Sequence, residues 1–415
     1  MVNITNLDNG IRVITEHVPH VESVALGIWI GAGAKNEQTS EFGISHFLEH
    51  MLFKGTERRT AKGIADEIAS VGGQMNAATD REYTTYYIKL LKEYVPLGMD
   101  VLTDMLRHSA FDAEEMKREQ DVVSEEIRRH VDMPEDHVHD VLAQVSWGSH
   151  QLGHSVLGTE ETVRSATPDS LRSYLNREYT PDRIVVSVAG NLEHQQVVDF
   201  AESTMGSMTG DSSNEPLPPL DHLPEQKIVD KETEAAYFCL GSRGYAELDD
   251  RKYALALLDV VFGSGMSSRL FQEVREKRGL AYDIGSYRVS FKEGGMFAIY
   301  GGTGVDTLGK VLEVISTEVK QIRESVVPDE EFRRAQTVIR GALLFAHESM
   351  GSRMGRMAKS LLDYGRLITM EEVITAIMAV TADDVREVAR DVLVEDKMSL
   401  AIIGPGKGVR KAMKT

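Results

Sequence analysis

A long segment without regular patterning divides this 415-residue chain into two halves of similar length. The segment MTGDSSNEPLPPLDHLPEQ, residues 208–226, is rich in Pro, Ser, Gly and Asp and has no apolar period. Such a composition is typical of an extended linker. The chain is also longer than a single domain usually is, since domains average roughly 150 residues. We therefore predict two domains, residues 1–207 and 227–415, joined by a linker over residues 208–226.

The two halves follow the same plan, which indicates a duplication. Each begins with strand-like runs, IRVITEHV and VALGIWIGAG in the first half and AAYFCLGS in the second. Each continues with a helix, a strand and long amphipathic helices, and closes with a β-rich run at residues 183–192 or 398–406. Strands and helices mix without strict βαβ alternation. We therefore predict that each half is α+β, with an antiparallel-rich sheet covered by helices.

The segment GISHFLEHMLFKGT carries the chemistry of the first half. It contains an H-x-x-E-H motif made by His46, Glu49 and His50, and its flanking apolar residues predict a helix. His46 and His50 are one turn apart on the same face, so both rings can converge on one ion. Glu49 lies beside them, where it can act as a general base on a zinc-activated water. The plainer alternative is a pair of surface histidines, but the spacing is that of inverzincins.

A third metal ligand is expected from the helix predicted over residues 112–132. Its apolar positions define an inward face, and Glu119 and Glu126 lie two turns apart beside that face. Glu125 falls about 100° away, among exposed charged residues, so Glu126 is the better ligand. Glu119 can hold a histidine ring as a hydrogen-bond acceptor. The sequence thus predicts a zinc site of His46, His50 and Glu126, since catalytic zinc takes three protein ligands.

Charge and composition exclude several other classes of protein. A net charge of −19 argues against nucleic-acid binding. The chain has no run of 18 or more apolar residues, which a membrane-spanning helix would need. The opening segment resembles neither a signal nor a transit peptide, and the one cysteine, Cys239, cannot form an internal disulfide, so we expect a cytoplasmic protein. We expect Cys239, and the helical face of Met350, Met354 and Met357, to be core.

With these motifs, the chain resembles the pitrilysin and mitochondrial-processing-peptidase family of zinc metallopeptidases over nearly its whole length. The segment HFLEHMLFKGT, with a glutamate 76 residues after the second histidine, matches the zinc signature of that family. The resemblance is greatest to bacterial processing-peptidase-like proteins and to the catalytic β-subunit of the mitochondrial enzyme. It implies that His46, His50 and Glu126 are ligands and that Glu49 is the base. It also matches Glu119 to the family's additional glutamate.

The resemblance implies further site residues outside the zinc motif. Arg275 and Tyr282, in REKRGLAY, match an Arg/Tyr pair that binds substrate and assists at the scissile carbonyl. From the residues alone, Arg275 is a helix-terminal cation. Asn76 and Ala77 match positions on an edge strand that pair with the substrate backbone. From the residues alone, they form an ordinary strand-start turn.

We therefore predict a zinc-dependent endopeptidase that cleaves extended or unfolded peptides. One alternative is a non-catalytic scaffold or recognition subunit of the same family, although this chain keeps the complete motif. Another is a general oligopeptide-degrading peptidase, which the sequence does not separate from a processing enzyme. The resemblance also implies a homodimer with composite active sites, because larger relatives carry four such domains and this chain has room for two. A heterodimer stays open.

Overall fold

The computed structural model describes residues 1–212 and 217–413. The strands are β1 Val2–Asn6, β2 Arg12–His17, β3 Ser23–Ile30, β4 Gln74–Thr79, β5 Thr84–Leu91, β6 Ile184–Gly190, β7 Gln226–Asp230, β8 Ala235–Gly244, β9 Ala281–Ser290, β10 Gly295–Gly304 and β11 Ser399–Gly404. The helices are α1 Ile44–Leu52, α2 Ala61–Ser70, α3 Val95–His108, α4 Ala113–Asp132, α5 Pro134–Trp147, α6 Glu160–Ser165, α7 Pro168–Glu178, α8 His194–Met205, α9 Arg251–Phe262, α10 Leu308–Glu324, α11 Asp329–Glu348, α12 Met350–Tyr364, α13 Met370–Ala379, α14 Ala382–Val392 and α15 Gly406–Ala412.

The chain forms two compact units, and the first is built on a six-stranded sheet. It comprises Met1–Arg128, His154–Glu215 and Leu344–Ile368, within the described residues. The strand order is β1-β2-β6-β3-β5-β4, with one parallel pair, β2 and β6, among antiparallel neighbours. β4 lies at the edge of this sheet and packs against α1 and α2. The edge strand and the H-x-x-E-H helix are therefore neighbours.

The second unit repeats this design with five strands. It comprises Arg129–Gly153, Pro216–Leu343 and Thr369–Thr415, again within the described residues. The order is β7-β11-β8-β10-β9, with β7 and β11 parallel and the other pairs antiparallel. Two mixed, mainly antiparallel sheets with helical layers confirm the predicted α+β class.

Each sheet is buried on both faces, and the helix on the second face comes from the other half of the sequence. In β3, Leu26 and Ile28 pack in one apolar cluster while Ala25 and Trp29 pack in another. The second cluster is completed by α12, which lies against β2, β3 and β6. In the second unit α5 lies against β8 and β11 in the same way. Burial on both faces explains why β3 and β6 are continuously apolar rather than alternating.

Several local predictions are confirmed by burial. Met350, Met354 and Met357 are 8%, 4% and 0% exposed on the inner face of α12. Cys239 is fully buried in β8, where burial raises the pKa of its thiol. The two closing β-rich runs form β6 and β11.

Other features differ from the sequence-based expectation or lie beyond it. Strands β1 and β7 were not predicted, and β7 begins at the last residue of the predicted linker, Gln226. The helix expected to end near Arg275 is π-helical over Phe271–Glu276. The domain boundaries 1–207 and 227–415 stay a prediction, and residues 213–216 of the predicted linker lie outside the described residues. Within the described ranges, none of the helices has both the length and the apolar character that crossing a membrane requires.

Candidate metal centre

Helix α1 places two histidines and a glutamate side by side. Its remaining side chains anchor it in the core, where the buried apolar residues are Ile44, Phe47, Leu48, Met51 and Leu52. The helix starts after Gly43, whose φ is 88° and whose position leaves 2.5 Å between an added Cβ and the Leu157 carbonyl oxygen. Only glycine fits such a turn without strain. Because residues four apart share a helical face, the rings of His46 and His50 meet, with centroids 4.6 Å apart.

Helix α4 brings a carboxylate to these rings. The Oε2 atom of Glu126 lies 3.8 Å from His46 Nε2 and 3.7 Å from His50 Nε2. The potential ligand atoms of the three residues all lie within 4.8 Å of one another. The neighbouring Glu125 instead pairs with Arg128 at 2.7 Å on the exposed face of α4. The structure therefore brings together the three residues that the sequence selects as ligands.

The chemistry of this donor set fits zinc. In tetrahedral coordination with bonds of about 2.0 Å, ligand atoms lie about 3.3 Å apart. The distances from the Glu126 oxygen to the imidazole nitrogens are close to that value, at 3.7 and 3.8 Å. Two imidazole nitrogens and one carboxylate oxygen are also a known donor set of catalytic zinc, which keeps its fourth position open. Among the residues that the structure describes, this is the one group with three such ligands in reach.

The protonation of His46 suits a metal ligand, which must offer a neutral imidazole. Burial, with a smaller contribution from the neighbouring His50, lowers the pKa of His46 to about 3, and Glu119 opposes this change. The other ring nitrogen, Nδ1, is buried and has no hydrogen-bond partner among the described residues. His46 therefore faces Glu126 as a neutral base without a second polar contact to hold its ring.

His50 is held differently, by a buried glutamate. Its Nδ1 atom donates a hydrogen bond of 2.8 Å to Glu119 Oε1, which leaves Nε2 directed at Glu126. Lys54 approaches the other oxygen of Glu119 at 2.6 Å. Burial by itself would raise the pKa of Glu119, but hydrogen bonds from His50 and Lys54 hold it below its usual value. Burial likewise opposes the charged form of His50, yet Glu119 and the nearby Glu126 and Glu49 raise its pKa.

The carboxylate of Glu49 is held by the edge strand. Thr79, the last residue of β4, donates a hydrogen bond of 2.5 Å from its hydroxyl to Glu49 Oε2. Burial raises the pKa of Glu49, and the hydroxyl of Thr79 is the first of the contacts that oppose this rise. A raised pKa moves a carboxylate towards the range in which it both accepts and returns a proton. Glu49 thus has the environment that a general base requires.

In the second unit, the structure brings Arg275 and Tyr282 together. The guanidinium carbon of Arg275 lies 4.8 Å from the centroid of the Tyr282 ring, and the Tyr282 residue is 83% exposed. Both line an open cavity of about 520 Å³ beside β9 and β10. Gly279, with a φ of 59°, turns the chain between them. The two donors are accessible and adjacent, as a site for a substrate carbonyl needs.

Asn76 and Ala77 lie in the middle of β4, opposite Tyr87 and Tyr86 of β5. Within the described part of the chain, β5 is the one strand that pairs with β4, so the other edge of β4 is open for a further strand. Asn76 is exposed, and Ala77 is 9% exposed. The geometry therefore suits pairing with an extended peptide.

Sequence reasoning missed Lys54 and Thr79, which contact Glu119 and Glu49, and it missed Glu37, a buried glutamate that accepts hydrogen bonds from the backbone at the start of α1. Lys54 lies beyond the end of α1 and contacts Glu119 of α4, so its place four residues after His50 did not indicate that contact. Thr79 lies 30 residues from Glu49, and Glu37 precedes the helix in an irregular segment, so neither showed a periodic signal.

Fold and site together define a class of protein with two α+β units, in which a helix of the first unit carries an H-x-x-E-H motif and a candidate metal-binding cluster. Two family models match the chain, one described as Insulinase (Peptidase family M16) over residues 12–160 and one as Peptidase M16 inactive domain over residues 165–339. The chain belongs to peptidase family M16. The first model covers His46, His50 and Glu126, and the second covers Arg275 and Tyr282.

Similar proteins span the whole chain. An uncharacterized zinc protease of Bacillus subtilis, YmxG, is 42% identical over 98% of both chains. One from Streptomyces coelicolor is 39% identical over 98% of this chain and 90% of its own. A crystal structure of a protease from Helicobacter pylori has the same fold, with a TM-score of 0.90, 20% identity, and coverage of 98% of this chain and 100% of its own. A peptidase role and zinc are therefore consistent with the family and with the cluster.

Proposed function

We propose that this chain is a zinc-dependent endopeptidase that cleaves extended or unfolded peptides. The observation that carries the proposal is the meeting of His46, His50 and Glu126, with their potential ligand atoms within 4.8 Å of one another. Glu49, on the same helix as both histidines, completes the set of groups that metal-assisted hydrolysis needs. The names of the curated relatives, which are zinc proteases, support the same interpretation.

In this proposal each residue has one task. His46, His50 and Glu126 hold the ion, and Glu119 orients the His50 ring through its hydrogen bond of 2.8 Å. The zinc ion, when bound, supplies Lewis acidity to a water and to the peptide carbonyl. Glu49 accepts the proton of the attacking water and returns it to the nitrogen of the leaving amine. Thr79 keeps one oxygen of Glu49 engaged while it does so.

The substrate is held through its backbone. An extended peptide adds to the open edge of β4 at Asn76 and Ala77, so backbone hydrogen bonds supply affinity with little demand on side chains. Arg275 and Tyr282 donate to the carbonyl side of the scissile bond, where negative charge develops. This mode of binding favours extended or unfolded chains, since most backbone groups of a folded protein are already paired within its own fold.

A non-catalytic role within the family is the main competing interpretation. A scaffold subunit needs neither a base nor a supported ligand set. Here Glu49 keeps its hydrogen bond and His50 keeps its glutamate, so the specific contacts favour catalysis. A general degradative role and a processing role share all these residues and differ only in substrate selection.

We further propose that the active site is completed by a second copy of the chain. The metal ligands belong to the first unit and the Arg/Tyr pair to the second. A symmetric homodimer in which each metal centre faces the Arg/Tyr pair of the other subunit contains two equivalent sites, as a two-fold association requires.

Metal content and turnover test the assignment of His46, Glu126 and Glu49. We expect about one zinc per chain in the wild-type protein, and loss of zinc in His46→Ala and Glu126→Gln. Glu49→Gln should keep zinc and lose activity by about 10²–10⁴-fold, because an amide cannot accept the proton. Elemental analysis and hydrolysis of an unstructured quenched-fluorescent peptide measure both quantities.

The adjacent residue supplies a matched control. Glu125→Gln changes the same residue type on the same helix, and should keep both zinc and activity. Near-normal turnover by Glu49→Gln would refute the general-base role. Zinc retention by Glu126→Gln at the level of Glu125→Gln would refute the ligand assignment.

A further inference from the structure

The buried carboxylate of Glu37 accepts hydrogen bonds from the backbone at the start of α1, the helix that carries His46 and His50. Glu37 is 3% exposed. Its Oε2 accepts a hydrogen bond of 2.7 Å from the backbone N–H of Gly43, and its Oε1 accepts one of 2.8 Å from the N–H of Ser45. The first N–H groups of a helix have no acceptor within the helix. Gly43, at the N-cap position, provides no side chain, so Glu37 supplies both acceptors from outside α1.

The carboxylate of Glu37 is itself held by a second segment. His154 Nε2 lies 3.1 Å from Glu37 Oε2 and donates to it, since a carboxylate only accepts. The His154 ring stacks on Phe42, with centroids 3.8 Å apart and an angle of 13° between the planes. Glu37 therefore has little freedom to move away from the helix.

The hydroxyl of Ser45 adds a third tie at the same point. Its Oγ atom lies 2.6 Å from the hydroxyl of Tyr174, which is fully buried in α7. The residue immediately before His46 is thus fixed through its backbone by Glu37 and through its side chain by Tyr174. These contacts restrain the position of the His46 backbone, because His46 is the next residue of the same helix.

The two histidines of the centre differ in how their rings are oriented. His50 donates to Glu119, which is the usual way a metal-bound histidine is held. His46 Nδ1 is buried and has no hydrogen-bond partner in the described part of the chain. The direction of its Nε2 atom therefore depends on where the backbone and the packing place the ring.

We propose that Glu37 is a positioning residue for the metal centre, which places His46 as Glu119 places His50. The inference rests on the proposed metal-binding function of His46, His50 and Glu126. Glu37 contacts neither the ligands nor the substrate in this role. It acts through the backbone of Gly43 and Ser45, and Ser45 immediately precedes the first ligand.

The test compares Glu37→Gln with a control at another buried glutamate of the same unit. The amide that Glu37→Gln introduces cannot accept from both backbone N–H groups, because its nitrogen is a donor. Glu16→Gln is the control, since Glu16 is 8% exposed and its ion-pair partner is Arg353 on α12 rather than α1. Zinc dissociation constants come from chelator competition, at a temperature well below each melting temperature. The visible absorption of cobalt-substituted protein reports coordination geometry.

We expect Glu37→Gln to bind zinc about 10–100-fold more weakly and to change the cobalt spectrum, as for other residues that orient a metal ligand. Glu16→Gln should lower the melting temperature but keep the zinc affinity and the spectrum. Glu37→Asp retains the charge with a shorter side chain, so its zinc affinity should lie between those of the wild type and Glu37→Gln. If Glu37→Gln does not fold, Glu37→Asp takes its place in the comparison.

Wild-type zinc affinity and an unchanged spectrum in every folded Glu37 variant would overturn the proposal and leave Glu37 a purely structural cap. That result differs from failure of the proposed function. If the wild-type chain binds zinc no better than His46→Ala, the metal centre itself is wrong, and the positioning role falls with it.

Discussion

At the scale of single residues, individual hydrogen bonds orient the side chains of the candidate metal centre. The carboxylate of Glu49 has one side-chain hydrogen-bond donor among the described residues, the hydroxyl of Thr79 at 2.5 Å. Because this bond engages Oε2, the carboxylate cannot rotate freely. A general base must keep its accepting oxygen within hydrogen-bond distance of the proton it takes.

Removing that hydroxyl is expected to slow the reaction without removing the metal. Thr79→Val keeps the branched shape of the side chain and loses the donor, so we expect kcat to fall by about tenfold or more. KM and zinc content should change little, because neither depends on the orientation of Glu49. Steady-state kinetics on a peptide substrate, with elemental analysis, measures all three.

Thr79→Ser is the matched control, since it retains the hydroxyl, and its kcat should stay near that of the wild type. Equal kcat values for Thr79→Val and Thr79→Ser would show that the hydrogen bond to Glu49 has no part in catalysis.

At the scale of elements, the exchanged helices complete the two units. α12 supplies the apolar cover for the second face of the first sheet, and Met354 lies so close to β3 that a Cβ on Gly27 would approach its sulfur to 2.8 Å. Ser187 of β6 adds a polar tie, donating a hydrogen bond of 2.7 Å to the Met354 carbonyl oxygen. The first unit therefore cannot bury its sheet without a helix from the C-terminal half of the sequence.

Truncating a methionine at this contact tests the importance of the exchanged helix. Met357 is 0% exposed, and we expect Met357→Ala to destabilise the first unit by about 2–5 kcal/mol, through lost burial and the cavity left behind. Urea unfolding is followed by tryptophan fluorescence in a Trp147→Phe background, which leaves Trp29 of the same cluster as the one emitting tryptophan.

The control is Met378→Ala on α13, where the side chain is 49% exposed. Its cost should stay within about 0.5 kcal/mol. A similar small cost for Met357→Ala would mean that α12 is not needed to close the first sheet.

At the scale of the whole molecule, the metal cluster and the Arg/Tyr pair belong to different units. In the proposed homodimer, each active site takes its metal ligands from one copy of the chain and its Arg/Tyr pair from the other copy. Mixing two inactive variants therefore tests the proposal. Glu49→Gln chains and Arg275→Ala chains should each be nearly inactive. After subunit exchange, a mixed dimer contains one site with both defects and one site with neither.

Activity should therefore reappear on mixing. Random exchange makes half of the dimers mixed, and one of their two sites is intact, so recovery should approach about a quarter of the wild-type value. Native mass spectrometry follows exchange, and incubation of Glu49→Gln protein alone is the control. If mixed dimers form without any return of activity, the shared site is wrong, and Arg275 acts within its own chain or has no catalytic role.

Much of the candidate site was accessible from the sequence because it depends on helix geometry. The spacing of His46 and His50 places them on one face whatever the rest of the chain does, and the measured ring separation is 4.6 Å. The same periodicity distinguished Glu126 from Glu125 on α4 and suggested that Glu119 holds a histidine ring, and the structure has all three where this places them. The catalytic roles of these residues, with those of Arg275, Tyr282, Asn76 and Ala77, stay predictions.

The two-sheet α+β class was likewise readable from the repeated order of strand-like and helical runs, which local apolar periods determine. Only the tertiary structure decided which helix covers which sheet face. α5 and α12 could cover either sheet as far as their apolar patterns go, and the choice between two similar apolar surfaces is made by packing between distant parts of the chain. The hydrogen bonds of Glu37 to the start of α1 and of Thr79 to Glu49 could not be predicted for a similar reason. A hydrogen bond needs its two heavy atoms within about 3 Å, and no sequence period sets that distance between separate elements.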